Sequence, residues 1–398
     1  MYAFRKPFNA GTYQDLLLWG MQYKDILIIS QVLGYMSSKF IGIKVISELN
    51  KTKRALMIIA FILFAESMLL LFGLVPYPYN FILLFFNGLP LGMVWGIVFS
   101  FLEGRKFTEL LGVGLSTSAI ISSGMLKSIG VFVIRDWGVS DFWMPVIVGA
   151  MFIPLLFFCV WMLTVIPEPS EEDKALRSER LPMSGADRKK IITTYGIGLF
   201  CLVITYMALT VCRDFRDNFM VEIWKELGIE NDVSIYTKTE FIIAMVVTCT
   251  TALVVLVRSN LLSLRITYLI FFTGVALSGS STILFVQQKI AAFTWMTSVG
   301  LGMYMAYVPF QIVIYERLVA AFKMKGNAGF LMYISDSLGY LASVGVLFLK
   351  NFFLPKASLF YLFTYISYAL LLLGIPMLVF SIIYFLKKYQ KQYAYSAV

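Results

Sequence analysis

The sequence predicts an all-α, polytopic membrane protein, and three observations carry that prediction. Only 14% of the 398 residues are charged and 59% are hydrophobic, where a soluble chain would carry about 25% charged residues. Apolar runs of about 20 residues, the length that crosses a hydrocarbon core, recur along the whole chain. Lys and Arg are concentrated in alternate loops between those runs, as the positive-inside rule requires. In lipid each backbone polar group must be paired within its own segment, so runs of that length mean helices.

Eleven spans follow in order: 25–47, 55–76, 81–102, 109–134, 142–166, 191–212, 239–257, 265–286, 291–314, 328–349 and 357–386. The last is long enough for one span plus a helical extension. Between the fifth and sixth, residues 167–190 (PEPSEEDKALRSERLPMSGADRKK) combine Pro, Ser and charge in a solvated linker. Cys159, Cys201, Cys212 and Cys249 fall in or at the ends of apolar runs, without metal or redox spacing, and read as packing residues. The chain contains no His, which removes the commonest proton shuttle and metal ligand; neither a metal nor a cofactor is expected.

The basic loops hold Lys51, Lys53 and Arg54; Arg105 and Lys106; the linker cluster ending Arg188, Lys189 and Lys190; Arg258 and Arg265; Arg317; and the tail Lys387, Lys388 and Lys391. They are assigned to the cytoplasm, with the C-terminus on that side. The net charge of +10 is then a topology signal; it is spread over loops rather than gathered on one face, which argues against nucleic-acid binding. Eleven spans place Met1 outside. The opening MYAFRKPFNAGTY is polar, aromatic and basic, like the outer end of a further helix, and predicts a chain that starts late; with no apolar stretch behind it, it is no signal peptide.

Two stretches of the chain resemble each other. Leu91-Gly92-Met93, Glu103-Gly104-Arg105, Gly114, Gly124 and Gly130 are echoed by Leu301-Gly302-Met303, Glu316-Arg317, Gly329, Gly339 and Gly345, the glycines at a constant offset of 215. This suggests a parallel repeat about an axis along the membrane normal: a first half over 1–166 lacking its first helix, a cytoplasmic linker over 167–190, and a six-helix half over 191–398. After the first span the chain reads Gly42-Ile43-Lys44-Val45-Ile46-Ser47-Glu48-Leu49-Asn50-Lys51-Thr52-Lys53-Arg54. With this loop, the charged linker and the two halves, the chain resembles the major facilitator superfamily of secondary transporters. The segments YAFRKPF, SFLEGRK and CRDFRDNF are similar to a little-characterised bacterial branch of it. The resemblance implies a twelve-helix fold with its first helix missing here, alternating access, and Glu48 in place of the usual Asp of that loop.

Ionisable groups inside a bilayer are costly and therefore functional candidates. Gln31, Tyr35, Ser38, Lys39 and Gly42 share one face of the first span. Lys39 is expected to line a cavity or to pair with a neighbouring acid. Lys127, among Ser122, Ser123 and Ser128, either binds cargo or snorkels to the outer surface. Glu66 and Asp336 are candidates for proton or cation coupling, Asp336 with the alternative of an ion pair to Arg317. If the resemblance holds, the third and ninth spans flank the cavity, which adds Asn87, Trp95, Tyr304, Tyr307 and Gln311 as groups able to orient a small organic molecule. Pro90 and Pro309 could bend those spans. The run Cys212–Asn218 reads as a self-neutralised charge network leading into an amphipathic surface helix. Glu48, Glu103, Arg105, Glu316 and Arg317 are candidate gating groups.

The function expected is secondary active transport of a small polar solute in the bacterial inner (plasma) membrane. Two basic groups on one cavity favour an anion, with a proton or cation as candidate coupling ion, and a monomer is expected. One alternative is a non-transporting sensor or partner protein on a transporter scaffold. A membrane-embedded lipid enzyme is disfavoured by the absence of His and of a Ser/Asp or acidic cluster in a loop. No Gly-rich loop with a following Lys-Ser or Lys-Thr supports ATP-driven pumping.

Overall fold

The computed structural model describes residues 1–47, 53–102, 108–167, 185–229, 232–322, 324, 328–354 and 357–394. The helices are α1 (Tyr23–Ser47), α2 (Arg54–Leu74), α3 (Phe81–Leu102), α4 (Thr108–Trp137), α5 (Met144–Met151), α6 (Ile153–Val165), α7 (Gly185–Glu226), α8 (Ile235–Val255), α9 (Asn260–Val286), α10 (Ala292–Ala321), α11 (Ala328–Phe353) and α12 (Leu359–Ala394).

Among the described residues nine helices are long and apolar enough to cross a membrane, and the pair α5–α6, bent by 43°, makes a tenth. These are ten of the eleven expected spans. The eleventh, α1, has the length at 25 residues but carries Lys24, Asp25, Lys39 and Lys44. It fits because it is packed against α3 and α11. Pro145 and Pro154 stand in the first turns of α5 and α6, where a missing N–H costs nothing. The fifth expected span is therefore two helices meeting at Phe152. The linker is shorter than expected, since α7 begins at Gly185; residues 168–184 lie outside the described set.

Glycine sets how closely the backbones approach. A Cβ on Gly34 of α1 would lie 2.0 Å from the Phe85 carbonyl oxygen, and one on Gly88 of α3 2.3 Å from that of Gln31. Small residues at such a crossing replace the hydrophobic drive that lipid does not supply. Gly274 of α9 and Gly302 of α10 face each other's carbonyls in the same way.

Helices from the two parts of the chain meet along α4–α8 and α1–α11. The first seam has paired hydroxyls of Thr117 and Thr248, and of Ser128 and Thr237 at 2.7 Å. The glycines at offset 215 fall on α4 and α11 but do unlike work. Gly124 receives the Tyr236 carbonyl of α8, Gly339 faces Thr210 of α7, and Gly130 meets Ala10; nothing lies within 4 Å of a Cβ on Gly345.

Residues 1–22 correct the sequence expectation most. They are two 3-10 turns, Tyr2–Phe4 and Pro7–Ala10, followed by a small ribbon pairing Leu17–Leu18 with Met21–Gln22. Trp19 and Gly20 close the ribbon with φ of 54° and 76°, the double positive φ of a tight hairpin turn. The 3-10 turns contact α2, α4, α5 and α7, and Phe4, Arg5, Lys6, Phe8 and Asn9 are buried. MYAFRKPFNAGTY is an internal wedge rather than an exposed helix end, because Phe4 and Phe8 are driven out of water while main-chain carbonyls find amide donors inside.

Candidate functional site

The two parts of the chain enclose a chain of polar contacts. Lys39 of α1 forms an ion pair with Asp336 of α11, and the Tyr206 hydroxyl of α7 donates to the same carboxylate. The Tyr206 and Tyr307 hydroxyls lie 3.1 Å apart, and Arg213 donates to Tyr307. Arg213 is also paired with Asp214 at 2.6 Å. Gln311 donates to both tyrosine hydroxyls, at 3.1 and 2.8 Å. It sits in the π-helical turn Phe310–Ile314 that follows Pro309, a wide turn of the kind found at functional places in helices. Pro90, by contrast, lies inside an unbroken α3, so the two prolines are not equivalent.

Aromatic faces surround these charges. Tyr35 and Tyr340 meet edge to face with centroids 5.5 Å apart. Lys39 Nζ is 4.9 Å from the Tyr340 centroid and 5.3 Å from that of Tyr35. The Arg5 guanidinium covers Tyr35 at 3.7 Å and that of Arg213 covers Tyr307 at 4.2 Å.

A second network adjoins the wedge. Asp217 of α7 receives Lys127 of α4 at 2.5 Å, Lys6 at 2.6 Å and the Ser123 hydroxyl. Asn218 accepts from Lys6 and from Asn9, both at 2.9 Å. Arg216 pairs with Glu240 of α8 at 2.5 Å. Lys127 is thus fully buried and does not snorkel; a carboxylate within reach in a dry interior outweighs the distant surface. Nor is Cys212–Asn218 self-neutralised, since only Arg213–Asp214 closes within it. The turns that follow are no surface helix either: α7 kinks at Phe219, where φ is −113° and ψ 16°, and the stretch beyond it to Glu226 has Met220, Ile223 and Trp224 buried.

Both ends of the bundle carry ties between the two parts. At one end Lys350 of α11 meets Asp25 of α1 at 2.7 Å and Lys24 meets Glu222. At the other, Arg317 of α10 meets Glu109 of α4 at 2.8 Å and Asn260 at 2.9 Å. Arg317 therefore pairs with Glu109 rather than with Asp336, which lies with Lys39. Glu316 is exposed, and Glu48, Glu103 and Arg105 lie outside the described residues.

Of the residues singled out from sequence, the structure brings together Tyr35, Lys39, Tyr307, Gln311 and Asp336. Lys127 belongs to the Asp217 network. Gln31 and Asn87 are committed to structure: Asn87 donates to the carbonyls of Phe4 and Ala65, both at 2.9 Å, and Gln31 donates to Asn87 and to the Arg5 carbonyl. Tyr304 is buried edge to face with Tyr307, and Trp95 stacks on Phe99 at 5.1 Å. Glu66 stands apart. It is buried on α2 against Gly149 of α5, and neither carboxyl oxygen has a hydrogen-bond partner among the described residues. Cys201 and Cys212 are buried, but Cys159 and Cys249 are exposed rather than packed. Among the described residues no cluster of three or more His, Cys, Asp or Glu could hold a metal.

Sequence reasoning missed Arg5 and Tyr206 as members of these networks, and read Arg213 and Asp217 only as parts of the self-neutralised run Cys212–Asn218. Tyr206, Thr210, Arg213 and Asp217 recur at intervals of four, three and four, which puts them on one helical face. That periodicity was available. Arg5 had no such signal, because nothing in the sequence says that the segment before α1 turns inward.

The model of one protein family spans residues 7–388 of the chain. The chain belongs to the family of unknown function DUF5690. No curated protein matches it. Among solved structures it is similar to one described as a D-xylose-proton symporter, with 12% sequence identity, a TM-score of 0.58, and coverage of 96% of this chain and 94% of that one. This DUF5690 member therefore shares the all-α fold of the major facilitator superfamily.

Proposed function

We propose that this DUF5690 protein is a secondary active transporter that moves a small polar organic solute by alternating access. The observation that carries the reading is the Lys39–Asp336 pair, a charge pair with Asp336 buried and Lys39 partly so, joining the two parts of the chain in the interior. In a purely structural bundle such a pair is an expensive way to hold helices together, because desolvation offsets most of its attraction. In a transporter the same pair is useful, since it can be exchanged for cargo or a proton. A shared fold with a protein whose name couples D-xylose to a proton supports the same reading.

In this reading residues 1–166 and 191–398 are the two moving halves, joined by the 167–190 linker, in the inner membrane of a bacterium with the C-terminus cytoplasmic and the chain acting as a monomer. Tyr35, Lys39, Tyr307 and Gln311 contact cargo. Gln31 and Asn87 hold the wall behind them, with Trp95, Lys127 and Tyr304 flanking the path. Asp336 alternates between Lys39 and a proton, and Glu66 is a second candidate for coupling. The Asp25–Lys350 and Glu109–Arg317 ties act as gates at opposite ends, and Glu316, Glu48, Glu103 and Arg105 stay gating candidates from the sequence alone.

Uptake into proteoliposomes with and without an imposed pH gradient, across a panel of organic anions and sugars, tests this. Concentrative uptake that needs the gradient and is lost in Asp336→Asn is the expected result. Uptake of nothing on the panel by the full-length protein would sink the transport reading, and gradient-independent uptake unchanged in Glu66→Gln and Asp336→Asn would remove proton coupling.

A further inference from the structure

We infer that the interior around Arg5 is an anion site, and that the Arg5 guanidinium anchors the carboxylate of a small organic monoanion with a planar, apolar body. The inference rests on the transport reading for the use made of the site, and deepens it by naming the cargo class.

Arg5 is buried, at 5% exposure, yet its side chain has no hydrogen-bond or ion-pair partner among the described residues, and its Nε is enclosed unpaired. Its one contact of note is the Tyr35 ring. Cation–π attraction offsets only part of the cost of taking a guanidinium out of water. Every other buried cation among the described residues touches a carboxylate: Lys24 with Glu222, Arg216 with Glu240, Lys350 with Asp25, and Lys6 and Lys127 together on Asp217. The partly buried Lys39 and Arg213 have Asp336 and Asp214. The carboxylate whose charge acts most on Arg5 is Asp214, and Arg213 already holds its Oδ1. Around the tyrosine cluster three cations, Arg5, Lys39 and Arg213, thus face two carboxylates, Asp336 and Asp214. One negative charge is wanting.

Geometry says what kind. The wedge cannot swing Arg5 away to find water, because Gln31 holds the Arg5 carbonyl at 2.7 Å and Asn87 holds that of Phe4 at 2.9 Å. A fixed guanidinium offers a planar fork of N–H donors that matches a carboxylate in two parallel hydrogen bonds. The Tyr35 ring under it, met edge to face by Tyr340, gives an apolar wall that a flat body can lie against. An anion seated there completes the charge balance and lies within the reach of the groups that link the two parts of the chain.

The test is thermal unfolding of the full-length protein in detergent, with benzoate as the probe and benzamide as its neutral isostere at matched ionic strength. Benzoate should raise the unfolding temperature with dose and benzamide should not. Arg5→Gln should abolish the benzoate response while itself unfolding at a higher temperature without ligand, since an uncompensated buried charge is gone. Arg5→Lys keeps the charge and loses the fork, so it should need at least tenfold more benzoate for half the shift. Equal shifts with benzamide, an undiminished benzoate shift in either variant, or no shift with benzoate, lactate or acetate each overturn the proposal. Uptake is read separately. Benzoate stabilisation without flux of any solute removes the transport reading and leaves the anion site. Uptake of neutral sugars without anion stabilisation does the reverse.

Discussion

Lys39 on α1 and Asp336 on α11 form an ion pair across 297 residues of chain, in the interior and under the Tyr206 hydroxyl. Breaking one side of such a pair leaves a buried charge alone, which costs about 3–5 kcal/mol. Lys39→Met or Asp336→Leu alone should lower the unfolding temperature sharply. The double variant Lys39→Met/Asp336→Leu should regain most of it, because no lone charge remains, yet transport nothing. Unfolding in detergent beside proteoliposome uptake checks both halves; a double variant that transports normally would show the pair to be structural.

Glu109 and Arg317 tie α4 to α10 at the opposite end from Asp25 and Lys350. The Glu109 side chain is 31% exposed, so water screens this pair and its loss should cost only about 1 kcal/mol of stability. Its effect on transport should be larger. Glu109→Gln should change the uptake rate by several-fold with the fold intact, and the exchange Glu109→Arg/Arg317→Glu should restore more activity than either single change. A double-mutant cycle with no coupling in uptake would rule out a gating role.

Gly149 and Glu66 are in enforced contact: a Cβ on Gly149 would come within 2.1 Å of Glu66 Oε2. Gly149→Ala should therefore destabilise by about 1–3 kcal/mol, the usual range for overpacking. Shortening the neighbour in Gly149→Ala/Glu66→Ala should relieve most of that loss. Additive effects of the two changes would mean that the helices can move apart at the α5–α6 break, and that the contact is not enforced.

Phe4 and Phe8 lie within ten residues of Met1 and are 2% and 1% exposed. Terminal residues usually tolerate change, but burial sets the cost here, and Phe8→Ala should lose about 3–5 kcal/mol. Lys6→Met should also destabilise, by leaving Asn218 without a charged donor and Asp217 with Lys127 alone. Unfolding temperatures within a degree or two of the parent for both would show that the wedge does not hold the bundle together.

The fold was legible because hydrophobic length is a local property. Ten of the eleven spans passed on length and composition, and the fifth differed only in being broken at Phe152, between two prolines placed where helices start. Lys39 and Asp336 were legible as candidates for the same reason: a charge inside an apolar run is visible in one dimension. What it faces is not. Asp336 could have met Arg317, nineteen residues away in sequence, and met Lys39 instead, because α1 and α11 are adjacent in space while Arg317 lies at the end of the bundle with Glu109.

By itself, then, the sequence determined that this chain is a membrane bundle and that Lys39, Glu66 and Asp336 lie inside its apolar runs. Those statements depend only on how apolar each stretch is and how long a helix it can make. Tertiary structure alone decided that Arg5, Lys6 and Asn9 are interior residues, that Lys127 meets Asp217 rather than the surface, and that Glu66 has no hydrogen-bond partner among the described residues. Each of those outcomes is a competition between desolvation and whatever donor or acceptor the packing brings within about 3 Å. No property of a single segment can settle that competition.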